Sequence, residues 1–370
     1  MKDITISEDI IYIGADDKTI DLFESQYEVP NGMSYNSYLI KDEKNLVMDT
    51  IDRRKTDEWV DNLEKGLNGE RVDYLVVSHM EPDHAYNIGL LAQKFPDMKI
   101  IGNDKTFTMM IQFFDIPNLD ERKIVVKEGD KLNIGKHTLQ FIMAPMVHWP
   151  EVMVTYEETE KILFTADGFG KFGALDADED WACEARRYYF NICGKYGAQV
   201  QSLLKKASLL DIKMICPLHG PILKENLEYY IGKYDIWSKY EPEDEGIFIA
   251  YASIHGNTEI AAKELEEMLK KKGAKKVAIT DLSRDDMHEA VEDAFRYDKM
   301  IIAAPTYDAG LFPTTELFLR DLAHKNYQNR TVGIIENGSW APMAAKNVKE
   351  ILSGMKDIKV CDTVVSAPWP

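Results

Sequence analysis

The feature that constrains the fold most is a short stretch of metal-binding side chains. Residues 79–84 read His-Met-Glu-Pro-Asp-His, so four potential ligands lie within six positions. The stretch follows residues 72–77, an apolar and β-branched run typical of a buried strand, and precedes a helical pattern over residues 85–95. Pro82 interrupts any helix through the motif, so we expect the ligands to converge from a loop. The fold must then present this loop at the carboxyl end of a strand, where open α/β sheets place their sites.

The composition excludes several classes of partner. Lys and Arg number 44 against 63 Asp and Glu, a net charge of -19, so the chain lacks the basic face that binds nucleic acid. It begins without a signal-peptide segment, and no apolar run approaches the roughly 18 residues of a membrane span. The four cysteines form no C-x-x-C pair, which favours free thiols and excludes an appended rubredoxin-type iron site. We therefore expect a cytoplasmic protein that binds neither nucleic acid nor membrane.

The pattern of apolar segments changes at residues 241–246. Before them, strand candidates, a helix-and-strand stretch and further strand candidates predict a sandwich of two sheets flanked by helices. Residues 241–246 carry only charged residues, Pro and Gly, which is typical of a domain boundary. After them, five strands alternate with helices, which predicts a doubly wound parallel sheet. We expect domains at 1–243 and 244–370. No helix follows the fifth strand, so the last helix of such a domain is missing or the chain is truncated.

Three later strand candidates are each followed by another potential ligand. His148, Asp167 and His219 each come after an apolar run, and a turn with Gly or Pro follows each of them. This repeated setting favours one composed site over scattered surface residues. Four imidazoles and three carboxylates are too many for one tetrahedral zinc ion and suit two metals. Without a thiolate, iron, manganese and zinc all remain open. The candidate ligands are His79, Glu81, Asp83, His84, His148, Asp167 and His219.

Three loops in the second half offer groups for a phosphate and a flat ring. The first follows the first strand and opens a helix, so its N–H groups can hold an anionic phosphate. The chain has neither G-K-[ST] nor G-x-G-x-x-G here, which favours a monophosphate such as that of FMN. In the other two loops, Tyr307 and Trp340 are candidates to lie against the ring. The candidate residues are Ser253, Ile254, His255, Gly256, Asn257, Thr258, Pro305, Thr306, Tyr307, Asp308, Ala309, Gly310, Asn337, Gly338, Ser339 and Trp340.

These motifs resemble those of a known superfamily. H-x-[EH]-x-D-H with a later His, Asp and His is similar to the metallo-β-lactamase superfamily, whose hydrolases mostly carry a second His where this chain has Glu81. The Glu form, joined to a flavodoxin-like domain, resembles the flavodiiron proteins. That resemblance implies an αββα sandwich followed by a flavodoxin-like domain. It also implies one iron bound by His79, Glu81 and His148, a second bound by Asp83, His84 and His219, and Asp167 as the bridge.

The resemblance implies an oxidoreductase that reduces O2 to water, NO to N2O, or both. FMN would take electrons from a donor such as rubredoxin or a reduced deazaflavin and pass them to two irons. No residue beyond the metal ligands is expected to act as a catalyst. The alternative is a dizinc hydrolase with a flavodoxin-like appendage, against which Glu81 and the flavin loops count.

The same resemblance implies a head-to-tail homodimer or a dimer of dimers. Residues 241–246 span at most about 20 Å, which limits how far a flavin domain folds back over its own metal site. In the dimer each flavin faces the metals of the partner, and Trp149, next to His148, is a candidate contact for that flavin. An obligate interface would bury more than roughly 2,000 Å². The alternative is electron transfer within one chain.

Overall fold

The computed structural model describes Ile4 and residues 6–367. The chain forms two compact units, Met1–Ala185 with Ala198–Ile231 and Arg186–Gly197 with Gly232–Pro370. The domain boundary between residues 243 and 244 stays a prediction. Among the described residues, none of the helices combines the length and the apolarity that crossing a membrane requires.

The first part of the chain combines short strands with helices. Its strands are β1 (Ile10–Tyr12), β2 (Ala15–Asp17), β3 (Leu22–Phe23), β4 (Tyr27–Glu28), β5 (Met33–Tyr35), β6 (Tyr38–Ile40), β7 (Leu46–Met48), β8 (Tyr74–Val76), β9 (Lys99–Gly102), β10 (Lys123–Val125), β11 (Lys131–Asn133), β12 (Thr138–Met143), β13 (Met153–Glu157), β14 (Ile162–Phe164) and β15 (Met214–Cys216). Its α-helices are α1 (Thr56–Leu67), α2 (Pro82–Ala85), α3 (Ile88–Lys94), α4 (Asp104–Phe113), α5 (Leu119–Arg122), α6 (Trp181–Tyr188) and α7 (Gly197–Ala207). A π-helix covers Tyr189–Cys193, and 3-10 turns cover Arg53–Lys55 and Gly194–Tyr196.

The elements that follow alternate between helix and strand. The helices are α8 (Leu227–Ser238), α9 (Asn257–Lys271), α10 (Met287–Arg296), α11 (Pro313–His324) and α12 (Ala344–Leu352). The strands are β16 (Asp244–Tyr251), β17 (Val277–Asp281), β18 (Tyr297–Tyr307), β19 (Gly310–Leu311), β20 (Arg330–Asn337) and β21 (Ile358–Ala367).

Two sheets in the first unit share one apolar core. One sheet has the order β1-β6-β7-β8-β9-β10, with parallel pairing from β7 to β10, and the other has the order β11-β12-β13-β14-β15. Met48 and Val76 of the first sheet pack in one buried cluster with Phe141 and Met153 of the second, and all four side chains are fully buried. Burial of each such side chain contributes roughly 1.5–3 kcal/mol. The core therefore holds the two sheets face to face, as the sequence predicted.

Strand ends in these sheets bring the candidate ligands together. Residues 79–84 follow β8, and His148 follows β12. Strands β14 and β15 are parallel neighbours, with Phe164 paired with Cys216. Asp167 and His219 therefore leave the sheet side by side at its carboxyl edge.

The expectation that residues 79–84 form only a loop was wrong at one point. Pro82–Ala85 forms a single helical turn with Pro82 at its first position. The first N–H groups of a helix have no internal partner, so Pro is tolerated there. Pro82 starts a short helix in this motif instead of preventing one, and the following helix begins only at Ile88.

The second unit contains the predicted parallel sheet. Its order is β17-β16-β18-β20-β21, with all these neighbours parallel and β19 pairing antiparallel with β18. Ile249, Tyr251 and Ala303 of the sheet pack with Ala262 of α9 in a buried cluster. Residues 244–246, expected as part of a linker, instead form the start of β16. Asp244 pairs with Tyr297 of β18, and Gly246 N donates to Asp298 Oδ1 at 2.8 Å, contacts that an apolar pattern does not reveal.

Arg186 links separate segments of the second unit. Its guanidinium donates to both carboxylate oxygens of Glu243 at 3.0 Å and to Glu292 Oε1 at 2.5 Å. The three side chains are 2%, 7% and 3% exposed. Burial raises the pKa of Glu292 to about 7, although Arg186 acts to lower it. Because water hydrates none of these three side chains well, the charge of each one is stable only in the presence of the others.

We expect Arg186→Met to destabilise the second unit by about 3–5 kcal/mol near pH 8, because it leaves buried Glu292 without its cation. The deficit should shrink near pH 5, where Glu292, with its raised pKa, is neutral in both proteins and needs no cation. Urea unfolding at the two pH values measures this, with Arg284→Met as the exposed control, expected to change stability by less than about 0.5 kcal/mol. An equal loss at both pH values would contradict the role assigned to Glu292.

Candidate metal centre and cofactor site

The seven predicted ligands form two adjacent groups. The first group is His79, Glu81, His148 and Asp167, and the second is Asp83, His84 and His219. In each group one donor atom from every residue lies within 4.8 Å of the others. The structure therefore brings together residues that are up to 140 positions apart in the chain.

The first group is compact. Glu81 Oε2 lies 3.1 Å from His79 Nε2 and 3.0 Å from His148 Nε2. Asp167 Oδ2 lies 3.0 Å from His148 Nε2 and 3.5 Å from His79 Nε2. The four side chains are at most 14% exposed. Two imidazole nitrogens and two carboxylate oxygens thus face one small volume.

The second group shares Asp167 with the first. His219 Nε2 lies 3.2 Å from His84 Nε2 and 3.2 Å from Asp83 Oδ2. The other oxygen of Asp167, Oδ1, lies 3.9 Å from His219 Nε2. One carboxylate therefore faces both groups, with a different oxygen toward each.

The donor atoms fit a pair of metal ions. Bonds of about 2.0–2.2 Å place neighbouring ligands of one ion roughly 3.0–3.5 Å apart, close to the spacings in each group. Asp167 Oδ1 and Asp83 Oδ1 are buried and have no hydrogen-bond partner. An unpaired buried carboxylate oxygen is costly, and a bound cation removes that cost. Imidazole and carboxylate ligands without thiolate suit iron.

Backbone and carboxylate groups fix the orientation of three of these histidines. The Nδ1 atom of His79 lies 3.0 Å from Glu151 Oε1, that of His84 lies 3.1 Å from Thr50 O, and that of His219 lies 2.7 Å from Ser34 O. Since an ionised carboxylate and a carbonyl only accept, each Nδ1 carries a proton and each Nε2 is the nitrogen that remains to bind a metal. The tautomer that binds a metal is thus already selected.

The charges of the two groups differ. Burial lowers the pKa of His148, but its hydrogen bonds to Asp167 and Glu81 outweigh burial and raise it to about 9. Burial also lowers the pKa of His84, here to about 4, because Asp83 only partly compensates. Without metal, the first group balances its carboxylates with a protonated imidazole, whereas His84 is neutral. A metal cation in the first group takes over the charge that His148 otherwise supplies.

Sequence reasoning missed two residues beside this centre. Glu151 contacts His79 and also accepts from Met80 N at 2.8 Å, but 72 positions separate it from His79, so no local spacing connects them. Glu24 lies beside Glu81, where burial of its carboxyl and the charge of Glu81 raise its pKa to about 7. It occupies a turn between two short strands with a left-handed φ of 48°, a position the apolar pattern does not mark.

The predicted phosphate loop forms one wall of a cleft in the second unit. Helix α9 begins at Asn257, and the residue before it, Gly256, has φ 91°, a conformation that favours Gly. Ser253 Oγ accepts from Gly256 N at 3.1 Å, which tightens the turn. The cleft has a volume of about 180 Å³. Its lining comprises Ser253, Ile254, His255, Asn257, Thr258, Pro305, Thr306, Asn337, Gly338 and Ser339.

The helix start and the buried hydroxyl of Thr258 suit a phosphate. The first N–H groups of a 15-residue helix point out of its N-terminus and carry the positive end of its dipole. Thr258 is 2% exposed, and its hydroxyl accepts from Asn337 Nδ2 at 3.3 Å, which joins the first loop to the third. The cleft therefore has the donors that the monophosphate of FMN needs.

The other predicted cofactor-binding residues lie outside this cleft lining. Asp308 and Ala309, at left-handed φ values of 49° and 56°, form the turn into β19, which begins at Gly310. Tyr307 and Trp340 are 45% and 68% exposed, so their rings are free to lie against a planar group. Their contact with a flavin stays a prediction.

Two predicted residues have contacts that the sequence did not indicate. The hydroxyl of Thr306 accepts from Met343 N at 2.9 Å and Ala344 N at 3.2 Å, so it caps the start of α12. The ring of Trp149 stands perpendicular to His79 at a centroid distance of 5.1 Å. Trp149 thus packs against the metal centre, while its contact with a partner's flavin stays a prediction.

Comparison with known proteins finds two family models that match separate parts of the chain. The model of the ODP family beta lactamase matches residues 33–220, and that of a flavodoxin domain matches residues 248–362. An uncharacterised protein of Methanocaldococcus jannaschii is 32% identical over 99% of this chain and 94% of its own length. A nitric oxide reductase of Moorella thermoacetica is 27% identical over 99% of this chain and 93% of its own length.

Solved structures agree in fold. The rubredoxin oxygen:oxidoreductase of Desulfovibrio gigas has a TM-score of 0.89 and 26% identity, and the match covers 98% of this chain and 92% of that one. A flavoprotein of Thermotoga maritima has a TM-score of 0.87 and 27% identity, with coverage of 96% and 90%. The fold and site define a two-domain class, a metallo-β-lactamase-like domain joined to a flavodoxin-like domain. Within that class the chain belongs to the ODP family and is a flavodiiron protein.

The contact between Glu151 and His79 gives a test of the metal centre. We expect Glu151→Gln to weaken iron binding about 10–100-fold, because the amide no longer supplies the charge that holds His79 in its metal-binding tautomer. Retention of iron against increasing chelator measures this. Glu157→Gln is the matched control, because Glu157 makes the same 3.0 Å contact with His137. Equal iron retention in the two variants would show that Glu151 does not act on the centre.

Proposed function

We propose that this protein is an oxidoreductase that reduces O2 to water, NO to N2O, or both, with FMN and two iron ions per chain. The observation that carries the proposal is Asp167, whose two oxygens face two separate groups of ligands in one buried centre. The names of its relatives support the reaction class, since they include a nitric oxide reductase and a rubredoxin oxygen:oxidoreductase.

Each group of side chains would hold one iron. His79, Glu81 and His148 hold the first, and Asp83, His84 and His219 hold the second, with Asp167 between them. When bound, FMN and the iron pair supply the redox chemistry, and together they hold the four electrons that reduction of O2 to water requires.

The protein side chains tune and shield this centre. Their carboxylates offer hard, negative oxygens that stabilise ferric iron, and the fixed histidine tautomers keep each Nε2 aimed at the metal. His79, His84 and His219 are fully buried, so little water reaches the centre from their side. No other side chain is assigned a catalytic role.

Glu81 distinguishes this proposal from a dizinc hydrolase. Its oxygen lies about equally far from His79 and His148, so it occupies a ligand position within the first group. A carboxylate there adds negative charge beyond what an imidazole supplies, which favours iron that cycles to a higher oxidation state. The flavodoxin domain supplies the matching route for electrons.

We also propose that the protein works in the cytoplasm as a homodimer or a dimer of dimers, with rubredoxin or a reduced deazaflavin as donor. Cys216 and Cys361 form no disulfide, which agrees with a reducing compartment. Since residues 244–246 belong to β16, the linker-length argument for the dimer no longer holds. Membership in the flavodiiron family supports head-to-tail pairing, with Trp149 of one chain toward the flavin of its partner.

The proposed ligand role of Glu81 gives the main test. We expect Glu81→Ala to lose one iron, or more than about 100-fold in O2 and NO consumption, while its fold and FMN content stay normal. Glu158→Ala serves as the control because Glu158 lies in a turn beyond β13 and outside both groups. Iron and flavin analysis with gas electrodes measures the outcome. Two irons and normal turnover in the Glu81 variant would overturn the assignment.

Electron transfer between chains is tested by mixing two inactive variants. One chain carries Glu81→Ala, and the other carries Thr258→Asp, whose added charge repels the FMN phosphate. Random pairing makes half of the dimers mixed, each with one complete site, so we expect roughly a quarter of the wild-type rate. Absence of any recovery, with mixed dimers verified by two affinity tags, would place electron transfer within one chain.

A further inference from the structure

A third group of potential metal ligands lies in the first unit. Asp9 comes directly before β1, His137 directly before β12, and Glu160 in the turn between β13 and β14. One donor atom from each lies within 4.8 Å of the others. The sequence pattern gave no sign of this group, because its members come from three separate turns.

This third group is remote from the two groups already described. His137 stands at the start of β12, whereas His148 follows its end. The six residues of β12 span roughly 17–20 Å. The third group is therefore at the opposite end of the second sheet, separate from the residues on which the proposed function rests.

His137 has the environment of a metal-binding histidine. It is fully buried, and its Nδ1 lies 3.0 Å from Oε1 of Glu157, which is also fully buried. Glu157 is held in place because it accepts from Thr159 N at 2.8 Å and Glu160 N at 2.6 Å. A carboxylate only accepts, so Nδ1 carries a proton and Nε2 is the nitrogen that remains to bind a metal. The pair of His79 and Glu151 has the same 3.0 Å contact.

The free nitrogen of His137 faces the other two residues. Its Nε2 is buried and has no hydrogen-bond partner. Asp9 Oδ2 lies 3.4 Å away, which is about the distance between two ligands on a tetrahedral zinc ion with bonds of about 2.0–2.1 Å. Asp9 and Glu160 are half-buried, so the position between the three residues is accessible to an ion and to a water ligand.

Lys136 is the competitor for this position. Its ammonium pairs with Asp9 Oδ2, the same oxygen that faces His137. The side chain of Lys136 is 58% exposed, so it is free to move into solvent. A divalent cation brings twice the charge of the ammonium and also satisfies the buried Nε2, which Lys136 leaves unpaired.

We propose that Asp9, His137 and Glu160 form a third metal site, which binds zinc and is separate from the two iron positions. One imidazole, two carboxylates and a water complete a four-coordinate shell of the kind zinc prefers. The ion would tie the segment before β1, in the first sheet, to the turns that flank β12 and β13, in the second. Since the unfolded chain does not hold these three turns together, zinc bound here stabilises the folded state.

The test uses the iron- and FMN-loaded protein. Zinc titrated by calorimetry, with iron content measured before and after, should show one saturable equivalent per chain without loss of iron, together with a higher melting temperature. Asp9→Asn and Glu160→Gln should each weaken this binding at least 10-fold. Glu8→Gln, which removes a neighbouring exposed carboxylate, should leave it unchanged.

Lys136→Met separates a metal site from a simple ion pair. If zinc and the ammonium compete for Asp9, removal of Lys136 should tighten zinc binding. The X-ray absorption fine structure of the bound zinc should show one imidazole ligand. The proposal is overturned if no equivalent of zinc binds beyond the iron positions, or if Asp9→Asn and Glu160→Gln bind it as well as the unaltered protein. It is also overturned if zinc enters only as iron leaves.

Discussion

The structure of the metal centre depends on one buried carboxylate. The side chain of Asp167 is only 3% exposed. Its Oδ2 faces His148 in the first group of ligands, and its Oδ1 faces His219 in the second. An ionised carboxylate in such a position is stable only with cations on each side. The surrounding fold meets this demand because the parallel pairing of β14 and β15 places Asp167 next to His219. A change in that register would separate the two groups.

Around this carboxylate, the histidine ligands are themselves held by a second set of residues. The histidines aim Nε2 inward and use Nδ1 to contact groups from distant segments, Glu151, Thr50 and Ser34. The same arrangement recurs at His137 and Glu157, at the other end of the second sheet. A buried His–Glu pair thus selects a tautomer wherever it occurs, and the donors around the free nitrogen decide which ion it suits.

The second unit depends on a different constraint. Its parallel sheet directs three loops to one edge, where the start of α9 places the positive end of the helix dipole. The side chains around that edge also hold the loops together, since Thr258 contacts Asn337 and Thr306 caps α12. Residues predicted to bind FMN therefore also hold the loops of the cleft in place.

The sequence by itself determined the chemical types of the ligands, the alternation of strands and helices, and the strand ends from which the ligands project. These follow from local patterns, such as the apolar run over residues 72–77, where the structure has β8. Only the tertiary structure decided that Pro82 starts a helical turn, that Glu151 orients His79, and that Asp9 meets His137. The physical reason is that local patterns encode backbone preference and burial, whereas contacts between residues as far apart as 128 positions depend on sheet register and packing.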